Sequence, residues 1–164
     1  MAVEVADGAR LVGEIQWVVR DRRGRFVRWG IIRNKTNNNA RAVLAQWMTG
    51  TTNASNGAAP GPSQMQLGTG TGTPAATDTG LFTAASGTLV AISNQSVYQT
   101  YYAQYQGFWP STTPAGNYSE VALFDPNLVL WAHVLLQTSA NQPYIPLQLG
   151  QTLSVIWKIN VLGN

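Results

Sequence analysis

The segment 152–162 alternates between apolar side chains and mainly polar ones, and this alternation constrains the fold more than any other feature. One set is apolar and consists of Leu153, Val155, Trp157, Ile159 and Val161. Because successive side chains of a β-strand point to opposite faces, a period of two predicts a strand with one buried face. The chain is therefore expected to bury one side of a β-sheet against a hydrophobic core.

Similar strand-sized segments recur along the chain, separated by turn residues. Residues 11–19 and 25–32 flank a turn that ends in Gly24, which predicts a hairpin. Residues 118–124 and 128–136 predict a second hairpin around an Asp-Pro-Asn turn. Together these segments predict a mainly β fold, an antiparallel β-sandwich or β-barrel with long loops.

Two parts of the chain depart from this strand pattern. Residues 40–48 place their apolar side chains at helical spacing and predict one short helix. Residues 1–10 are expected to form an N-terminal arm, in which Val3 and Val5 suit one strand added to a neighbouring subunit. Residues 11–164 are expected to form a single β domain.

Charge is scarce and unevenly placed. Charged residues make up 10% of the chain, and nine of the ten basic residues lie between Arg10 and Arg41. In a regular strand Phe26 would share a face with Arg28, and Trp29 would take the other face. We therefore expect the basic segment to be the solvated face and turn of a hairpin, and nucleic-acid binding is disfavoured. The sequence contains no stretch of about 18 apolar residues, which is the feature that would predict a membrane span.

Residues suited to catalysis do not converge in the sequence. The chain has no cysteine and a single histidine, His133, which lies in an apolar strand. Glu120 and Asp125 lie at a spacing unsuited to paired acid–base work. The Gly/Thr-rich segment 68–74 lacks the lysine of a phosphate-binding loop, so its glycines are expected to supply turns with positive φ. We expect no enzyme activity and no catalytic, cofactor-binding or metal-binding residue.

Aromatic residues are the candidates for contacts between subunits. Residues 97–105 are predicted to form one strand, with Tyr98 and Tyr102 on one face and Tyr101 and Tyr105 on the other. A chain with so little charge and so many aromatic residues is expected to form a homo-oligomer. The candidate contact residues are Val3, Val5, Tyr98, Tyr101, Tyr102, Tyr105 and Trp109.

Three segments together resemble structural proteins of tailed bacteriophages. Segment 65–81 (MQLGTGTGTPAATDTGL) is similar to a "GTGTTAPAATDTAL" loop, and segment 117–125 (NYSEVALFD) to an "I-x-E-x-G-L-F" strand. Segment 152–160 (TLSVIWKIN) is similar to a closing "L-x-V-x-W-x-I" strand. The order and spacing also match, although Ala122 stands where the pattern has Gly.

The resemblance implies a capsid decoration (cement) protein of the phage head. Such a protein would bind the outer surface of the capsid as a homotrimer and bridge major capsid subunits, without a cofactor. The alternative is a tail-tip or tail-fibre module that binds a host receptor or carbohydrate. For that alternative, Trp109, Tyr118, Trp131 and the Tyr-rich segment 97–105 are candidates for a sugar-binding platform.

Overall fold

The computed structural model describes residues 12–35, 61–98, 102–136 and 144–160. Its strands, in chain order, are β1 (Val12–Arg20), β2 (Phe26–Lys35), β3 (Gln64–Gly68), β4 (Val90–Tyr98), β5 (Tyr102–Trp109), β6 (Gly116–Tyr118), β7 (Glu120–Phe124), β8 (Leu130–Leu135), β9 (Ile145–Leu147) and β10 (Thr152–Asn160). The predicted mainly β class is confirmed. No helix occurs among the described residues, and the helix predicted at 40–48 and the arm at 1–10 lie outside them.

Eight of these strands form one antiparallel sheet in the order β2-β1-β10-β5-β4-β3-β7-β8. The strands at its two ends, β2 and β8, contact each other, so the sheet curls into a half-barrel. β6 and β9 form a separate two-stranded sheet. β1 and β10, which are the first and last strands in chain order, pair along their whole length.

The core lies inside the curl of the sheet. The predicted alternation of β10 is confirmed, because Leu153, Val155, Trp157 and Ile159 are buried while the residues between them are half-buried. Trp17 of β1 enters the same core, and its indole lies against Gly30 of β2. A Cβ atom at Gly30 would approach this indole to 2.6 Å, so the glycine makes room for the tryptophan.

The predicted hairpin of β1 and β2 is confirmed, with one irregularity. Gly24 closes its turn at a φ of 75° and donates its backbone N–H to the carbonyl of Asp21. A bulge at Val19/Arg20 then shifts the register, so that Phe26 pairs with Arg20 on the outer face of the sheet. Trp29 shares this outer face, and the expectation that Phe26 and Trp29 lie on opposite faces is wrong. The bulge supplies the extra residue that reverses the alternation.

The tyrosine-rich segment is a hairpin, and its prediction as one continuous strand is wrong. β4 ends at Tyr98 and β5 begins at Tyr102, and these two tyrosines face each other across the pair. Their rings meet edge to face at 6.2 Å between centroids. The connecting residues, Gln-Thr-Tyr, contain none of the Gly, Pro, Asn or Asp residues that mark a turn in a sequence.

The hairpin predicted from residues 118–124 and 128–136 is confirmed as β7 and β8. The side chain of Asp125 closes its turn, because the carboxylate accepts bonds from the backbone N–H groups of Asn127 and Val129. Unlike β10, β7 is buried on both faces. A strand buried on its outer face needs a second layer, and the loop at 69–83 provides it.

Candidate functional site

The carboxylate of Glu120 is the centre of the second layer. Glu120 lies on the outer face of β7 and has no solvent exposure. Its Oε1 accepts backbone N–H bonds from Gly70 at 2.8 Å and Thr83 at 2.9 Å. Its Oε2 accepts a bond from the backbone N–H of Phe82 at 3.1 Å. A buried carboxylate is tolerated when such donors replace its water, so the loop and the charge stabilise each other.

His133 of β8 adds a fourth donor to this carboxylate. Its Nε2 lies 2.7 Å from Oε2 of Glu120, and because a carboxylate only accepts, the Nε2 carries the proton. The other ring nitrogen, Nδ1, lies 3.4 Å from Oδ2 of Asp78, which is an ion-pair distance without hydrogen-bond geometry. The ring of Phe82 packs edge-on against the imidazole. His133 is therefore a buried histidine that is hydrogen-bonded through one of its two ring nitrogens.

The glycines of the Gly/Thr-rich segment allow the loop to approach Glu120 closely. A Cβ atom at Gly68 would lie 2.5 Å from Oε1 of Glu120, and one at Gly70 would lie 2.6 Å from the same oxygen. At Gly72 a Cβ atom would collide with the ring of Phe82. None of these three glycines has a positive φ, so the expectation that they supply left-handed turns is wrong. They are needed for close packing instead.

Further bonds fix the same loop to β7. Ser119 donates its hydroxyl to the carbonyl of Gly70 at 2.6 Å and its backbone N–H to the carbonyl of Gly68 at 3.0 Å. Beside this network, Leu81 packs on a small apolar cluster made by Ala122, Phe124 and Leu130. The loop and strand segments that carry the resemblance therefore contact each other directly.

This arrangement is suited to holding a loop rather than to acid–base chemistry. The donors from the loop and His133 occupy both oxygens of Glu120. Asp125 is engaged in its own turn and does not join the cluster. Among the described residues, no group of three or more His, Asp and Glu side chains has the arrangement of a metal site.

Sequence reasoning did not bring Glu120, His133 and the loop together. The loop partners of Glu120 are 37 to 50 residues away in the chain and His133 is 13 residues away, so no local spacing connects them. One signal was available. A charged residue beginning the otherwise apolar run Val-Ala-Leu-Phe indicates a buried partner, because an unpaired buried charge is too costly to keep.

The candidate contact residues fall into three groups. Trp109 is fully buried and donates its indole N–H to the carbonyl of Thr88 at 2.6 Å, so it is a core residue and not a contact residue. Tyr105 packs against the core, and burial raises the pKa of its phenol. Tyr98 and Tyr102 lie on the outer face, beside Lys158. The others, Val3, Val5 and Tyr101, lie outside the described residues.

Three members of the candidate sugar-binding platform do not reach the surface. Trp109, Tyr118 and Trp131 are all buried, and Tyr118 donates its hydroxyl to the carbonyl of Pro114. Burial also raises the pKa of the Tyr118 phenol. These three residues belong to the core, so a flat aromatic surface for carbohydrate stacking must be sought elsewhere.

The exposed aromatic surface lies on the opposite part of the sheet. On the outer face of β1 and β2, Trp29 is 69% exposed, Phe26 66% and Ile31 54%. The guanidinium of Arg20 lies over the ring of Phe26 at 3.8 Å. On β5 of the same outer face, Phe108 is 43% exposed. The outer face of the sheet thus has one half covered by its own loop and another half that presents apolar side chains to solvent.

Comparisons with protein-family models, with curated proteins and with solved structures found no match. Among the described residues, no helix has the length and apolar character needed to cross a bilayer.

Proposed function

We propose that this chain is a structural protein of a tailed-bacteriophage virion, and that it decorates the capsid. In this role it binds the outer surface of the head, bridges major capsid subunits and has no catalytic function or cofactor. The resemblance of three segments to phage structural proteins supports the class of protein. The contact between the loop at 69–83 and the strand that begins at Glu120 adds a physical reason for these segments to occur together.

The observation that carries the proposal is the exposed apolar half of the sheet. Soluble monomers rarely leave several large apolar side chains side by side on a surface, and such patches mark sites of protein association. Trp29, Phe26 and Ile31 form one such patch on β2, while Tyr98 on β4 and Phe108 on β5 are exposed on the same face. With charged residues at 10% of the chain, this surface is typical of a protein that works inside an assembly.

Decoration would stabilise a capsid by mass action. A ligand that binds the assembled lattice but not its dissociated subunits shifts the equilibrium toward the lattice, and each copy adds to the effect. The Glu120 network suits this role, because it holds the loop and the sheet as one rigid body that loses little entropy on binding. We propose a homotrimer, since three copies around a symmetry axis can bridge several capsid subunits at once.

Labelling of virions tests the proposal. A gold-labelled antibody against this protein, applied to purified particles of the virus that encodes it, should mark the head in many copies. Heads that lack the protein should break at a lower temperature than decorated heads, and adding purified protein should restore their resistance. Label confined to the tail would favour the tail-tip or tail-fibre alternative, and particles without label would refute a virion role.

A further inference from the structure

The outer face of the first hairpin has a composition of its own. We call it the hairpin face, and its members are Glu14, Gln16, Val18, Arg20, Phe26, Trp29, Ile31 and Arg33. A shallow groove of about 490 Å³ lies along it, between Phe26, Trp29 and Ile31. β2 also stands at one end of the large sheet, where it contacts β8.

The hairpin that carries this face is strongly basic. Residues 12–35 contain seven basic and two acidic side chains, a formal charge of +5, whereas the whole chain carries +3. The rest of the chain therefore carries −2. Of the two acids in the hairpin, Asp21 forms an ion pair with Arg25 at 2.7 Å, and Glu14 lies on the hairpin face in register with Arg33. The apolar groove is thus set in a surface of clear positive charge.

A second copy of this chain is a poor partner for the hairpin face. Two hairpins brought together would oppose like charges, which disfavours association. The described acidic side chains outside the hairpin are also withdrawn from the surface. Glu120 and Asp125 are buried, and the side chain of Asp78 is 16% exposed. Another copy therefore presents no acidic surface from these residues.

A nucleic acid also fits the face poorly. Sequence-tolerant binding of single strands relies on bases stacking on open aromatic rings within a basic groove. Here the guanidinium of Arg20 already lies over one face of the Phe26 ring. The neighbouring exposed side chains Val27 and Ile31 are aliphatic, so Trp29 alone offers an open ring for stacking. This mixture of aliphatic, aromatic and arginine side chains is typical of a protein interface.

We infer that the hairpin face binds an acidic surface of a different protein, with Trp29 as the apolar anchor and arginines as the charged rim. Tryptophan and arginine are enriched among the residues that dominate binding energy, and rim charges accelerate association and select partners. In taking the major capsid protein as the partner, this inference rests on the proposed function. The chemistry of the face does not depend on that choice.

Site-specific photo-cross-linking tests the inference. The photoreactive residue p-benzoylphenylalanine replaces Trp29 in one variant and Val97 in the control, because both positions are exposed on the large sheet while Val97 lies on the opposite face, in register with Ala103 and Ile159. Infected cells that make each variant are irradiated, and the cross-linked peptides are identified. The Trp29 variant should cross-link to an acidic segment of another protein, in higher yield than the control. Cross-links to another copy of this chain, to nucleic acid or to nothing would overturn the inference.

The identity of the captured protein separates the two proposals. An acidic segment of the capsid protein supports both, whereas an acidic segment of a tail protein supports the hairpin face and contradicts capsid decoration. Capsid protein captured from Val97 but not from position 29 supports decoration and overturns the hairpin face.

Binding of the purified protein to the particles that hold it supplies an independent readout, through the Kd and the rate of association. Trp29→Ala should weaken the Kd about 10-fold or more, as expected for a central anchor. Arg33→Glu should slow association and reduce its salt dependence, while Val97→Ala should leave both unchanged. Equal effects of Trp29→Ala and Val97→Ala would contradict a specific role for the hairpin.

Discussion

Replacing Glu120 by glutamine should destabilise the domain far more than the small chemical change suggests. In the structure, four N–H donors converge on the two oxygens of this buried carboxylate. A glutamine amide keeps one oxygen and places an NH₂ group, which cannot accept, opposite the remaining donors. At least two donors then lose their acceptor, and each unsatisfied buried donor costs about 1–3 kcal/mol. We therefore expect Glu120→Gln to lower the free energy of unfolding by about 2–6 kcal/mol.

Urea unfolding of the full chain, at a fixed protein concentration, measures this difference. Glu14→Gln is the matched control, because Glu14 lies half-buried on the outer face of β1 and accepts a bond from the Gln16 side chain. This control should change the free energy of unfolding by less than about 0.5 kcal/mol. Amide hydrogen exchange adds a local readout, since Gly70, Phe82 and Thr83 should lose protection in Glu120→Gln. A cost below about 1 kcal/mol with unchanged protection would refute the role of Glu120.

Three further predictions concern packing and charge. Gly70→Ala should destabilise the domain by about 1–3 kcal/mol in urea unfolding, because its Cβ has no room beside Glu120, whereas Gly80→Ala faces open space and should be neutral. Trp157→Ala should cost about 3–5 kcal/mol in the same assay, since its ring is fully buried, and a cost below about 1 kcal/mol would contradict its place in the core. The backbone N–H of Arg25, and then its guanidinium, lower the pKa of the Asp21 carboxyl below the usual 3.8. The stability that Asp21 contributes is therefore present above the unfolded pKa and is lost as pH falls through the folded pKa. An NMR titration should show the lowered value, and a normal value would contradict the turn geometry.

Local patterns in the sequence predicted those elements whose neighbours in space are also neighbours in the chain. The hairpins of β1–β2 and β7–β8 follow from strand alternation around strong turn residues. Strand β10 follows from the alternation of its apolar side chains. The prediction of one strand for the segment with Tyr98 and Tyr102 was wrong because the residues that connect β4 and β5 lack those turn residues. The prediction that Phe26 and Trp29 lie on opposite faces was wrong because a bulge adds one residue, which the alternation of side chains does not reveal.

The Glu120 network was beyond such patterns for a different reason. Its donors come from a loop and a strand that are far apart in the sequence, and they meet because β3 pairs with β7. The glycine-rich loop suggested backbone freedom, whereas the structure uses the missing side chains to bring Gly68 and Gly70 against a carboxylate. Local chemistry indicated what each segment could do, but the pairing of strands decided which segments met.

The Glu120 network also has a consequence for the order of folding events. The loop cannot dock until β7 and β8 have paired, because their side chains supply the acceptor and His133. Docking itself forms a contact between residues 50 positions apart in the chain. Contacts between residues so distant in sequence are expected to form late in folding. Interactions absent from the transition state affect unfolding more than folding. Loss of the carboxylate should thus leave the folding rate nearly unchanged and accelerate unfolding. The network therefore contributes to the kinetic stability of the folded domain.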